Sequence, residues 1–395
     1  MSGRTYDLII VGGGLAGGLT ALAARRQAPL LDILLLEAGK VLGGHHRWSW
    51  FDSDLSEAGR KLMSSFSAKR WEGGYDVHFP AHSRHLRGTY NSLKSQDFSA
   101  AIHTALPEDA CRTGASVTAL DESSVTLEDG KQISAKAVLD CRNFLPSPHL
   151  SGGWQLFCGQ TWRMAKPHGV KHPVIMDADL DQYGAYRFMY LLPLSETELF
   201  LEDTYYANTP RLDRDVLADR IASYVERHGW KGQVIDEEQG ILPVITHGDF
   251  DAARASVCQP NVAVAGARAL FTHPLTSYTL PIAVANALAI ANGLPMNGNE
   301  LAEMMENRAA AHWRLTGFYR NLGRMLFDAA EPDLRFRIFE RFYRLPEGLI
   351  ERFYAGRSTL TDQMRVLSGK PPVPVFAAMR ALAGSGTPLV SGDSR

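Results

Sequence analysis

The feature that most narrows the fold is a glycine pattern near the start of the chain. Asp7-Leu-Ile-Ile-Val11 is a short apolar run rich in β-formers, and Gly12-Gly-Gly-Leu-Ala-Gly-Gly18 follows it directly. Leu19 to Arg26 reads as an Ala-rich helix, and Asp32-Ile-Leu-Leu-Leu-Glu37 as a second buried strand. Strand, glycine loop, helix and strand in that order make a parallel unit. Gly12-x-Gly14-x-x-Gly17 within it has the dinucleotide-binding spacing, and Glu37 ends the second strand where a ribose-binding acid is expected. Gly12 permits the tight turn, Gly14 lets backbone approach a pyrophosphate, and Gly17 allows the helix to pack closely on the strand. The helix start, with the N–H groups of Leu15 and Ala16, offers a positive dipole end to the phosphates. Glu37 can accept hydrogen bonds from ribose hydroxyls and would repel a 2′-phosphate.

Whether the dinucleotide is NAD or FAD turns on a later segment. Asn261-Val-Ala-Val-Ala-Gly266 reads as a strand ending in glycine, with a helix over Thr279 to Gly293 beyond it. A second strand–glycine–helix segment returning to the cofactor favours FAD. Gly266 is followed by Ala267-Arg268 rather than the Asp common in hydroxylase-type flavoproteins.

Between these segments Ser116 to Leu120, Ser123 to Glu128 and Gln132 to Asp140 read as three short strands, with Asp129-Gly130 marking a tight turn. Tyr186 to Leu194 and Glu198 to Tyr206 form an antiparallel pair joined at Ser195-Glu196-Thr197, and Asp213 caps a helix running to His228. The expected architecture is an α/β fold: a Rossmann-like FAD-binding domain of the glutathione-reductase and hydroxylase type, an inserted antiparallel-sheet substrate domain, and a helical C-terminal region. Residues 1–150 with 255–295 form the cofactor domain, 151–254 the substrate sheet with its helix, 296–375 a helical cap, and 376–395 a loose tail.

Composition removes other classes. A net charge of −2 over 395 residues leaves no basic field for a nucleic-acid partner. Cys111, Cys141, Cys158 and Cys258 are scattered without a Cys-x-x-Cys pair, which argues against a metal site or disulfide framework and fits a reducing compartment. The histidines lack a spaced carboxylate cluster, so neither a metal nor a triad is assigned. The first residues lead into a strand without a basic-then-apolar leader pattern. The longest nearly apolar stretch, Leu280 to Leu294, is short for a bilayer span and carries Asn286 and Asn292. The expectation is a soluble or peripheral protein.

Several further segments resemble the bacterial lycopene cyclases. They are Gly43-Gly44-His45-His46-Arg47-Trp48-Ser49-Trp50, then His172-Pro-Val-Ile-Met-Asp177, then Phe200-Leu201-Glu202-Asp203-Thr204, and finally Phe271-Thr-His273-Pro-Leu-Thr-Ser277-Tyr278-Thr-Leu-Pro281. Ser277 stands where the family usually has glycine. The resemblance implies conversion of the linear ψ ends of lycopene into β-rings in carotenoid biosynthesis, without net redox change yet requiring reduced FAD, with NAD(P)H as electron source. It also implies lycopene, the bilayer surface and other carotenoid enzymes as partners, at the cytoplasmic face of the cell membrane.

Such a reaction needs a proton donor to an alkene carbon, stabilisation of a carbocation, and a base for the last proton. Glu202 and Asp203 are the candidate acids. In a straight strand they point to opposite faces, so one of them enters the pocket. Phe200, Glu202, Thr204 and Tyr206 share a face that carries aromatics, and the resemblance favours Glu202; Asp203 is then its supporting partner. Burial beside a hydrocarbon would raise the Glu202 pKa and keep it protonated. A solvated strand end is the alternative for the pair. Gly44 and His45 join the cofactor set, as do Gly266 and Tyr278. His46, Arg47, Trp48, Trp50, Phe200 and His273 are the candidate pocket wall, where aromatic faces can steady a cation; core packing is the alternative for Trp48 and Trp50, and a structural role for His273.

From Trp313 to Tyr354 aromatic residues alternate with arginines, which suits either a lipid-docking helical face or a cap with its aromatics turned inward. Two rival functions stand beside cyclisation: a redox monooxygenase or isoprenoid reductase on the same fold, and a non-catalytic flavin or carotenoid carrier.

Overall fold

The computed structural model describes residues 4–369 and 373–390 of the chain. It begins with Thr5–Val11 (β1), Leu15–Gln27 (α1), Ile33–Leu36 (β2), Arg47–Phe51 (β3) and Glu57–Met63 (α2). Lys69–Trp71 (β4), Tyr75–Phe79 (β5), His82–Leu86 (β6), Tyr90–Lys94 (β7) and Ser95–Ala105 (α3) follow. Next come Cys111–Arg112 (β8), Val117–Leu120 (β9), Ser124–Leu127 (β10), Gln132–Asp140 (β11), Ser147–Met164 (β12) and Val174–Asp177 (β13). Tyr186–Pro193 (β14), Glu198–Ala207 (β15), Arg214–Arg227 (α4), Gly232–Gly248 (β16), Phe250–Val257 (α5) and Ala263–Val264 (β17) lead to the helical region. That region comprises Leu280–Gly293 (α6), Gly298–Leu315 (α7), Gly317–Arg324 (α8), Phe336–Phe342 (α9), Glu347–Tyr354 (α10), Leu360–Leu367 (α11) and Val375–Ala383 (α12), before Pro388–Leu389 (β18).

The first sheet runs β8-β2-β1-β11-β10-β9, with β17 beside β11. β1 lies parallel to both β2 and β11 and is buried on both faces, hence its unbroken apolar sequence. α1 is apolar nearly all round because it is enclosed by this sheet, α3 and α6. The glycine-ended strand expected at 261–266 is present only as Ala263–Val264, which is enough to add one parallel step to the sheet.

A second sheet of eight strands, β16-β12-β15-β14-β13-β5-β6 with β18 on β12, carries the cavity described below. The expected hairpin is present: β14 and β15 pair antiparallel from Tyr186↔Tyr206 to Pro193↔Leu199. The helix at 213–228 is also found, with the Asp213 carboxylate accepting from Val216 N–H. The sheet reaches beyond the 151–254 segment, however. β5 and β6 come from the N-terminal stretch, and β12 starts at Ser147, so the domain division drawn from the sequence is too simple. Among the described residues the parallel pairing of β5 with β13 joins these early strands to the sheet, a long-range pairing without a local signal.

In the C-terminal region one of the two readings of the Arg-rich stretch is favoured, and the expectation of a loose tail is corrected. The aromatics of the Arg-rich stretch, among them Tyr319, Phe327, Phe339, Phe342, Tyr343, Phe353 and Tyr354, pack inward as a core against the second sheet. They are a cap, not a lipid-facing surface. Nor is the chain loose from residue 376: α12 packs on the 325–329 turn and β18 pairs with β12. Residues 391–395 of that tail lie outside the described residues.

Candidate active site

The glycine loop builds a phosphate cradle. A Cβ on Gly17 would lie 1.9 Å from the Gly12 carbonyl oxygen, so only glycine lets α1 start this close to β1. Gly14, by contrast, has open space where its Cβ would be, and it precedes α1 without any side-chain cap. The first N–H groups of α1, from Leu15 and Ala16 onward, have no acceptor within the helix and are free for a phosphate. Glu37 closes the loop by accepting from Gly13 N–H at 2.6 Å and Gly39 N–H at 2.7 Å, which leaves lone pairs for a ribose. Gly266, at φ 67°, packs beside Ala16, so the late segment does return to the start of α1. Gly44 turns the chain beyond Gly43, whose N–H bonds the Gly13 carbonyl.

A cavity of about 510 Å³ lies against the second sheet. Its wall includes His46, Arg47, Trp48, Asn143, Tyr190, Glu202, Tyr278 and Tyr354, together with apolar groups from β12, β13, β16 and α9. Size and mixed lining are those of a small-molecule site. Glu202 sits at the centre of β15, paired to β14 on one side and β12 on the other. Thr204 Oγ1 donates to its Oε1 at 2.6 Å. Burial pushes the Glu202 carboxyl up to about 7, against the opposing pull of the Thr204 hydrogen bond and Arg47. Arg47 lies over the Phe200 ring at 4.4 Å and 3.6 Å from Glu238.

The residue pattern is matched by the family model for lycopene cyclase protein over residues 7–380. The chain belongs to the lycopene cyclase family. Lycopene beta-cyclase of Pseudescherichia vulneris is 44% identical to this cyclase over 95% of the chain and 96% of the relative. That of Pantoea ananas is 42% identical over 95% and 98% respectively. Among solved structures, a geranylgeranyl bacteriochlorophyll reductase-like protein from Thermoplasma acidophilum aligns with a TM-score of 0.53 at 15% identity, covering 97% of this chain and 96% of its own. A flavin-dependent brominase aligns with a TM-score of 0.58 at 14% identity, covering 89% and 94%. These two share the Rossmann-like fold of flavin enzymes with the cyclase.

Glu202 and Asp203 part company, as the strand period requires. Asp203 is 0% exposed on the opposite face of β15, where Arg187 Nε and Nη2 hold its carboxylate at 2.7–2.9 Å. It is an ion-pair partner in the wall behind the cavity, not a second acid within it. Trp50 is likewise removed from the wall: it is buried in the core around α1 and α6, whereas Trp48 does line the cavity. Phe200 stands behind Arg47 as a platform rather than at the cavity surface. His273 accepts the N–H groups of Leu275 and Thr276 on Nδ1 and donates from Nε2 to the Phe353 carbonyl at 3.1 Å. With both nitrogens used, and burial lowering its pKa to about 3, it is a structural residue and not the final base. His45 stands half exposed between Gln96 and Asp236, with both ring nitrogens engaged there. His46 does line the cavity, and burial holds its pKa down at about 4, so the ring is neutral.

Sequence reasoning missed several wall groups, Tyr190 and Tyr354 among them, and several groups that stand behind the wall. Tyr190, directly opposite Glu202 on β14, was implicit in the hairpin register, since the pairs flanking Ser195-Glu196-Thr197 fix it. Tyr90 joins Tyr190 and Tyr278 through their hydroxyls, the latter at 2.8 Å, and Tyr354 bonds Tyr343 at 2.5 Å. Glu238 on β16 lies behind Arg47, and nothing in its local sequence announces that contact.

Proposed function

We infer that this cyclase closes the linear end groups of lycopene into β-rings in carotenoid biosynthesis, and we propose that Glu202 delivers the proton that starts each ring. One observation carries the assignment of the acid: among the described residues that line the cavity, Glu202 is the carboxyl group, and burial raises its pKa to about 7, so that it holds a proton at neutral pH far more often than an exposed Glu does. Its O–H bond breaks as a C–H bond forms on the terminal alkene, and the alkene electron pair moves into that new bond. The resulting tertiary cation is attacked by a nearby double bond of the same polyene, which closes the ring; a base then takes a ring proton, and the C–H electron pair becomes the double bond of the β-ring. Trp48, Tyr190, Tyr278 and Tyr354 surround this step with aromatic faces that favour a cation and exclude water.

FAD is proposed to lie along the cradle of Gly12, Gly14, Leu15, Ala16, Gly17 and Glu37, passing Gly266 toward Tyr278, with NAD(P)H as its reductant. In reduced form it would supply an electron-rich ring whose charge offsets a developing cation. The discriminating experiment is anaerobic incubation with lycopene in liposomes, the flavin either oxidised or reduced with dithionite. Cyclic carotene of unchanged mass, formed only with reduced flavin and without its oxidation, supports this function. Flavin oxidised in step with product, or a product of altered mass, returns the assignment to a redox flavoenzyme.

We further propose that the cyclase works on the inner surface of the cell membrane, where its hydrocarbon substrate dissolves and where other carotenoid enzymes can meet it. No helix among the described residues is long and apolar enough to cross a bilayer. The support comes instead from α11 and α12. Leu360, Met364 and Leu367 fall on one face of α11 and are 76%, 63% and 55% exposed. On α12 Phe376 and Met379 are 84% and 62% exposed. Arg365 and Arg380 flank these faces, as anionic lipid requires. Flotation with anionic liposomes should be lost on combining Met364→Ser with Phe376→Ser; unchanged flotation of that variant would refute the docking face.

A further inference from the structure

Two carboxyl groups face each other across a strand in this site. Gly159 on β12 pairs with Glu202 on β15 and with Glu238 on β16, so all three lie on one cross-strand row. Residues directly opposite in antiparallel pairs point to the same face. Glu202 and Glu238 are thus side by side on the cavity face, with backbones about 9–10 Å apart. Gly159 has no side chain to separate them: a Cβ there would meet Glu238 Cγ at 3.0 Å and the Phe200 ring at 2.5 Å. Among the described residues the cation paired with Glu238 is Arg47 on β3, 3.6 Å away, with its side chain 6% exposed. Its Nε makes no hydrogen bond.

We propose that Glu238 is a positioning residue for the cyclisation acid: it competes with Glu202 for the single guanidinium of Arg47, so that the two carboxyls retain one proton between them. The proposal rests on the reading of Glu202 as the acid. The other charges around Glu238 are accounted for. On its own strand Asp236 is held by Lys94 of β7 at 2.7 Å and by His45 at 3.1 Å, nearer the surface. Glu237 points to the opposite face, where it meets Gln160 and Arg214. His46, beside Arg47, is neutral. Burial raises Glu238 to about 8, with Arg47 opposing and Glu202 adding to the rise. Two raised carboxyls beside one cation titrate as a pair. Removing either carboxylate leaves the other alone with Arg47 and more readily ionised.

The test is the pH profile of lycopene cyclisation by the flavin-loaded, pre-reduced protein in liposomes. Glu238→Gln should move the alkaline limb down by at least one pH unit, with the rate restored at acid pH and flavin binding unchanged. Glu238→Asp keeps the charge but withdraws it by a methylene, and should shift the limb the same way by less. A uniform loss of rate at every pH, with the limb unmoved in whichever of these variants folds, would overturn the proposal. Glu202→Gln, run alongside, separates the two ideas: if it still cyclises, the acid itself is misassigned, whatever Glu238 does.

Discussion

Arg187 and Asp203 are locked together by three short contacts on the face of β15 that turns away from the cavity. The two are 5% and 0% exposed, so neither charge has water to fall back on. This pair fixes β14 against β15 and thereby sets Tyr190 opposite Glu202. Asp203→Asn should lower stability by about 3 kcal/mol, because a buried guanidinium loses its counter-ion. The fraction that stays folded should still cyclise lycopene. A thermal melt together with an assay below the melting temperature checks both parts.

Glu202→Gln removes the transferable proton but keeps the shape of the side chain. Cyclisation should fall by at least ~100-fold, the usual scale for a lost general acid. The FAD content of the purified protein should be unchanged, since Glu202 lies outside the glycine cradle.

The pH dependence has a definite sign. Glu202 acts only when protonated, so the rate should fall as pH climbs through about 7 and be full only well below it. Stability carries the same signature. The folded state keeps this proton to higher pH than the unfolded chain, whose Glu titrates near ~4.3. Stability is therefore highest below that value and erodes as pH climbs through about 7. Glu202→Gln should raise the melting temperature at pH 8 and leave it unaltered at pH 4, as calorimetry at the two pH values would reveal.

Gly159→Ala should damage the site without touching the cofactor. Its methyl group would press on Phe200, the platform beneath Arg47, and on Glu238. Overpacking of this kind costs roughly 1–3 kcal/mol. Turnover should drop by about tenfold or more if Arg47 moves with the ring, while flavin affinity stays as it was. Full activity in this variant would show that the row tolerates displacement.

Gly17→Val tests the other half of the molecule. Even a Cβ would collide with the Gly12 carbonyl, so α1 must retreat from β1 and carry its N–H groups with it. Purified protein should contain little flavin, and added FAD should bind at least tenfold more weakly by fluorescence titration.

How much of this was legible beforehand depended on distance along the chain. The glycine loop, the 186–206 hairpin and the opposite facing of Glu202 and Asp203 are local, and period-two or turn chemistry states them directly. Tyr190 was within reach of the same register. Glu238 was not, because its place beside Glu202 depends on β12 lying between β15 and β16. The inward turn of the C-terminal aromatics was equally hidden: Arg and Phe alternate in the same way whether the helix faces lipid or a sheet. Trp48 and Trp50, both pointing inward from one short strand, were split by which element packs on each, a contact made by α1 and α6 rather than by β3 itself.

The acid's position has one more consequence. Glu202 belongs to an interior strand, with backbone partners on both sides, rather than to a loop. Amides of such strands exchange with solvent deuterium only through large-scale opening, whereas loops exchange by local fraying. The residues around Glu202 should therefore be among the last in the molecule to take up deuterium. Proton delivery here is thus built on the slowest-breathing part of the chain, and the motions that admit a polyene must come from the walls around it.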